Sequence, residues 1–150
     1  MRHGIVLAVL LTLVNGCDQR NEVLSPGAGT LLSNGLRFTL AAAKASFGIH
    51  DTLMASVTVR NQGAVADTIV VGSSLFRWSL QNDSGKVIMY GPRATSWLLT
   101  LVPVRPGQSL EIYDIREAIA DTSGMPVAAG SYVLKATAGS IPLSLNLTLR

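Results

Sequence analysis

The sequence predicts an all-β domain, an antiparallel β-sandwich, carried behind an export leader and a flexible tether. Two observations predict the sandwich: apolar and polar residues alternate with period two through most of the chain after Gly35, and Gly- or Pro-bearing breakers recur between the alternating runs. A third sets its boundary, because the chain before Leu36 lacks that alternation. The organisation expected is therefore a leader at 1–16, a modified cysteine and tether at 17–35, and one domain at 36–150.

The leader opens with Met1-Arg2-His3, a short basic start, followed by an apolar run from Ile5 to Val14 broken only by Thr12. Roughly twenty apolar residues are needed to cross a bilayer, so this run is too short for a span and has the layout of a secretory signal. Leu13-Val14-Asn15-Gly16-Cys17 resembles the lipobox of bacterial lipoproteins, in which a small residue precedes a cysteine that is acylated before cleavage. A sole cysteine directly after such a run reads as a lipidation site at Cys17 rather than a buried thiol. One acyl chain holds a protein weakly and two or more hold it stably, so the expected partner at this end is a membrane, through the lipid anchor. With its only cysteine acylated, the processed chain has no thiol left for a disulfide, and the domain relies on its core. Asp18 resembles the inner-membrane retention residue of enteric lipoproteins.

Asp18 to Gly35 mixes Asn, Ser, Pro and Gly around Ser25-Pro26-Gly27-Ala28-Gly29 and reads as a tether. A flexible chain of that length has an r.m.s. span of roughly 23 Å, which keeps the domain close to the bilayer.

The strands follow in order. Leu36, Phe38 and Leu40 alternate with Arg37 and Thr39, and Leu53, Ala55, Val57 and Val59 alternate with Thr52, Ser56, Thr58 and Arg60. Phe76, Trp78 and Leu80 form a third set, Leu110 and Ile112 a fourth set set against Ser109, Glu111 and Tyr113, and Leu143, Leu145, Leu147 and Leu149 the last. Thr68–Val71, Lys86–Tyr90, Trp97–Val102 and Tyr132–Thr137 bring the expected total to eight or nine. Reversals fall at Arg60-Asn61-Gln62-Gly63, Asn82-Asp83-Ser84-Gly85, Arg105-Pro106-Gly107 and Ala128-Ala129-Gly130, which supply the positive-φ Gly or preset Pro that turns require. Asp114 to Gly130 is long enough to cross between sheets, with one helical turn expected over Arg116–Ala120.

Trp78 shares a face with Phe76 and Leu80 and is expected in the core. Tyr90 and Trp97 flank Gly91-Pro92-Arg93-Ala94-Thr95-Ser96; they either cap the open end of the sandwich or stand out as a binding surface.

Charge and motifs exclude several chemistries. Twelve basic and nine acidic residues give a net charge of +3, and loss of Arg2 with the leader leaves +2. The cations are spread singly, so no nucleic-acid partner is expected. His50 beside Asp51 is the one histidine of the processed chain, and no G-x-S-x-G elbow accompanies it; an enzyme is not expected. About four Cys or His ligands are needed for structural zinc. Asp114, Glu117 and Asp121 lack the spacing of an EF-hand, and no glycine-rich phosphate loop occurs, so neither metal nor cofactor is expected.

Taken in order, Leu53–Asn61, Phe76–Val87 with its Ser84-Gly85-Lys86-Val87 hairpin, Val104-Arg105-Pro106-Gly107-Gln108 and Gly130-Ser131-Tyr132-Val133-Leu134-Lys135-Ala136 resemble the BsuPI-type intracellular proteinase inhibitor domain. The resemblance implies an immunoglobulin-like sandwich of about seven to nine strands that inhibits a serine protease by occlusion, without a cofactor. A loop lying extended in the protease cleft would suit that activity, and Tyr90, Pro92, Arg93 and Trp97 are its expected binding residues, with Arg93 entering a pocket. The alternative is a non-inhibitory immunoglobulin-like module of the cell envelope, facing periplasm or exterior, that docks a protein or glycan or helps a complex assemble through loops or an unpaired edge strand.

Overall fold

The computed structural model describes residues 28–92 and 97–150; the lipidation site expected at Cys17 and the pocket-entering Arg93 lie outside the described residues. Eleven strands occur among the described residues: β1 Ala28–Ser33, β2 Leu36–Ala42, β3 Ser46–Phe47, β4 Thr52–Asn61, β5 Asp67–Val71, β6 Phe76–Asn82, β7 Val87–Gly91, β8 Thr100–Val104, β9 Ser109–Ala118, β10 Gly130–Ala138 and β11 Ile141–Leu149. One 3-10 turn, Ser73–Leu75, leads into β6. The strands form a sheet ordered β1-β2-β4-β9, a second ordered β3-β11-β10-β6-β7, and a separate two-stranded ribbon, β5-β8. The fold is an all-β sandwich, with more strands than the eight or nine expected.

Alternation dictates the layers. On β2 the buried positions are Leu36, Phe38, Leu40 and Ala42, and on β4 they are Leu53, Ala55, Val57, Val59 and Asn61. The second sheet answers with Phe76, Trp78 and Leu80 on β6, with Tyr132, Leu134, Ala136 and Ala138 on β10, and with the four leucines of β11. All of these side chains except Asn61 join one apolar cluster between the sheets. Full burial of a leucine stabilises by about 1.5–3 kcal/mol, so this cluster is the main apolar contribution to the fold. Trp78 lies in it as the sequence predicts, opposite Gly91 on β7, where an added Cβ would come within 2.6 Å of the indole Nε1.

Two segments differ from expectation. Ala28–Ser33, read from sequence as tether, is strand β1, paired antiparallel with β2 from Ala28↔Ala41 to Ser33↔Leu36. Its turn is Asn34-Gly35, both at positive φ (51° and 78°), the geometry of a two-residue hairpin whose twist matches its strands. β1 then passes so close over β11 that a Cβ on Gly29 would lie 1.9 Å from the Ser144 carbonyl oxygen.

The second correction concerns Arg116–Ala120. No helical turn forms there, because β9 stays paired with β4 as far as Thr52↔Ala118. β9 also carries a bulge: Val57 opposes Tyr113 while Thr58 opposes Glu111, leaving Ile112 as the extra residue. The bulge flips the alternation, so Leu110 and Tyr113 share the inner face although strict period two separates them. Tyr113 thus packs flat against Phe76 of the opposite sheet.

Candidate functional site

His50 and Asp51 sit in the loop after β3. The Asp51 carboxylate accepts hydrogen bonds from the Lys44 ammonium and from the Gly48 N–H at 2.8 Å, which together hold its pKa below the usual carboxylate range. His50 is exposed and makes no hydrogen bond to it among the described residues. This carboxylate shapes a turn instead of orienting a base.

The acidic trio behaves likewise. Asp114 pairs with Arg116 at 2.7 Å on the surface, and Asp121 Oδ1 accepts from the Ser123 and Met125 N–H groups at 2.8 Å, closing a turn. Groups of three or more metal-ligating side chains are absent among the described residues.

The expected binding residues fall at two places. Tyr90, on the outer face of β7, is exposed and lines a cleft of about 260 Å³ with Trp78, Met89, Glu117, Ala118 and Asp121. This cleft opens between β7 and β9, which terminate their respective sheets, so among the described residues an unpaired strand edge borders it on either side. Pro92 is half-buried behind a cis Gly91–Pro92 bond at the end of β7. Trp97 is not among the cleft residues; it stands 85% exposed just before β8.

Trp97 begins an apolar surface that the sequence reading did not single out. Leu98, Leu99 and Leu101 follow it at 74%, 51% and 70% exposure, and Val70 lies directly across from Leu101 on β5. Ile69 and Val102, one position along, point into the core, so period two forces Val70 and Leu101 outward. A signal was present in the adjacent pair Leu98-Leu99, since an extended chain cannot turn both onto one face. Gly72 seats this segment: a Cβ there would lie 2.6 Å from the Leu98 carbonyl oxygen. The Tyr113 hydroxyl fastens the same place, accepting from the Gly72 N–H at 3.3 Å and donating to its carbonyl at 3.1 Å.

Asn61 is the buried polar residue that organises the other end of the ribbon. Its Nδ2 donates to the Val65 and Val104 carbonyls, both at 2.8 Å, and its Oδ1 accepts from the Gly63 N–H at 2.8 Å. Sequence reading placed Asn61 in a turn but not in this bridging role.

No protein-family model matches the sequence, and no curated protein matches it. Among solved structures the chain is similar to part of the β-glucosidase EmGH1 of Erythrobacter marinus, with TM-score 0.47 and 20% identity over 81% of this chain and 16% of that one. It is also similar to alkylpurine DNA glycosylase AlkC of Pseudomonas fluorescens, with TM-score 0.48 and 14% identity over 79% and 31% of the two chains. A third similarity is to the sporulation control protein Spo0M of Bacillus subtilis, with TM-score 0.41 and 11% identity over 79% and 50%. The matched regions span half or less of each of those proteins.

Proposed function

We propose that the chain is a membrane-anchored lipoprotein of the cell envelope, tethered at Cys17, whose β-sandwich works by binding another protein. The observation that carries this reading is the cleft bordered by the free edges of β7 and β9, with Tyr90 exposed on its wall. Unpaired edge strands offer backbone N–H and C=O groups to an extended segment of a partner, and an exposed tyrosine supplies contact area at small entropic cost. The partner class implied by the sequence resemblance is a serine protease, occluded rather than processed.

Two measurements test the reading. Lipid label is incorporated by the parent and not by Cys17→Ser. The acylated protein, titrated into a subtilisin-like protease, abolishes turnover at one-to-one stoichiometry, and Tyr90→Ser weakens inhibition at least tenfold. Unchanged protease turnover at saturating protein removes the inhibitory reading.

A further inference from the structure

We infer that the outward face of the β5–β8 ribbon, together with Trp97, Leu98 and Leu99, lies on the lipid bilayer and orients the domain there. The inference rests on the proposed anchor at Cys17 and adds a second, non-covalent contact to it.

The composition of this face comes first. Its outward positions on the ribbon are Thr68 and Val70 on β5 and Leu101 and Pro103 on β8, all exposed and none charged. The lead-in Trp97-Leu98-Leu99 is uncharged as well, and the whole run from Trp97 to Val104 holds no Asp, Glu, Lys or Arg. A contiguous exposed apolar surface of this kind marks a protein or membrane contact. Tryptophan beside leucine and valine is the composition that settles at the headgroup boundary, with indole at the interface and aliphatic side chains below it.

Register prevents the face from hiding. Turning Val70 and Leu101 inward would slip the ribbon by one residue and expose Ile69 and Val102, which now pack on the core. The surface is therefore a fixed feature of the fold.

Chain length supplies the occupant. Because β1 begins at Ala28, only ten residues, Asp18–Gly27, separate the proposed anchor from β1 in sequence. Ten residues span at most about 35 Å. A domain of this size is itself about 35 Å across, so the bilayer lies within reach of the ribbon. Tethering makes the contact intramolecular, with an effective concentration on the order of millimolar, so a modest apolar face suffices to hold it. A protein partner would have to compete for this face against a surface that is always present.

The test uses the acylated protein in phosphatidylcholine vesicles, with and without bromine on the acyl chains, which quenches indole emission on contact. Parent protein is compared with Trp97→Phe to isolate the Trp97 signal from that of buried Trp78. Contact with lipid shifts Trp97 emission to shorter wavelength, and brominated chains quench it at least twofold; Leu98→Ser with Leu101→Ser abolishes both effects while circular dichroism stays unchanged. Protein that floats with the vesicles but shows unquenched, solvent-like Trp97 emission keeps the anchor and overturns this inference. Protein that neither takes up lipid label nor floats overturns both. A blue shift that appears without vesicles and grows with protein concentration assigns the face to a second copy of the chain and likewise overturns it.

Discussion

Phe76 and Tyr113 stack face to face across the sandwich, ring centroids 4.3 Å apart and planes 6° from parallel, joining β6 of one sheet to β9 of the other. The same tyrosine reaches past the stack to Gly72 with its hydroxyl, so one side chain fastens both the two sheets and the segment that follows β5. Tyr113→Phe keeps the stack and removes both hydrogen bonds. A loss of about 1–3 kcal/mol in urea unfolding is expected, the ordinary net worth of two partly buried hydrogen bonds. Tyr113→Ala removes the stack too and costs more than Tyr113→Phe, though less than the roughly 3–5 kcal/mol of truncating a fully buried aromatic, because Tyr113 is half-buried. Equal stability of parent and Tyr113→Phe would show the hydroxyl to be idle.

Asn61 supports the second prediction. Its amide serves two carbonyls and one N–H, and Val104, one of the residues it reaches, is fully buried. Asn61→Ala leaves buried backbone groups unpaired, at about 1–3 kcal/mol each where water cannot reach. Asn61→Asp is worse than its near-identical shape suggests, because a carboxylate oxygen would face carbonyl oxygens in place of the donating amide. The expected order of unfolding midpoints is parent, then Ala, then Asp at neutral pH, with the Asp variant recovering as acid protonates it.

Most of the sandwich was legible because its strands are half-buried and period two is the direct consequence of having one wet face and one dry one. Leu36–Leu40, Leu53–Val59, Phe76–Leu80 and Leu143–Leu149 all follow it and all bury the predicted face. The pattern failed where local geometry breaks the period. On β9 the bulge at Ile112 inverts the faces, and nothing in Leu110–Tyr113 announces an extra residue. β1 escaped because Leu31 and Leu32 are adjacent and exposed, yet Asn34-Gly35 between Leu31-Leu32 and the alternating Leu36-Arg37-Phe38 was a hairpin signal in plain view. The cleft needs β7 and β9 to be the last strands of different sheets, a property of topology that no local window contains.

β1 gives the third prediction. Gly29 lies against the Ser144 backbone where a Cβ would overlap it, so Gly29→Val cannot seat the strand without displacing β11 or β1 itself. β1 carries the weaker contacts and yields. Hydrogen exchange then accelerates at the amides of β1 and at those of β2 bonded to it, while β10 and β6 keep their protection. β1 amides that exchange as fast in the parent as in the variant would return Ala28–Ser33 to the role of tether and lengthen the leash to the membrane.

Asp51 supplies a pH dependence whose sign follows from its hydrogen bonds. Lys44 and the Gly48 N–H favour the ionised carboxylate, so the folded-state pKa lies below that of the unfolded chain. A depressed carboxylate contributes stability that is complete above the unfolded pKa, near 4, and is lost as pH falls through the lower folded value. Parent and Asp51→Asn therefore differ most at neutral pH, with the parent more stable, and their thermal midpoints converge as pH falls below the unfolded value and through the lower folded one. The pair is exposed, so salt narrows the neutral-pH gap by screening the Lys44 contribution, while the share from Gly48, a backbone hydrogen bond, persists. A gap that stayed constant through the acid range would mean that the Asp51 carboxylate titrates alike in folded and unfolded chains, and that the turn before β4 is held by its backbone alone.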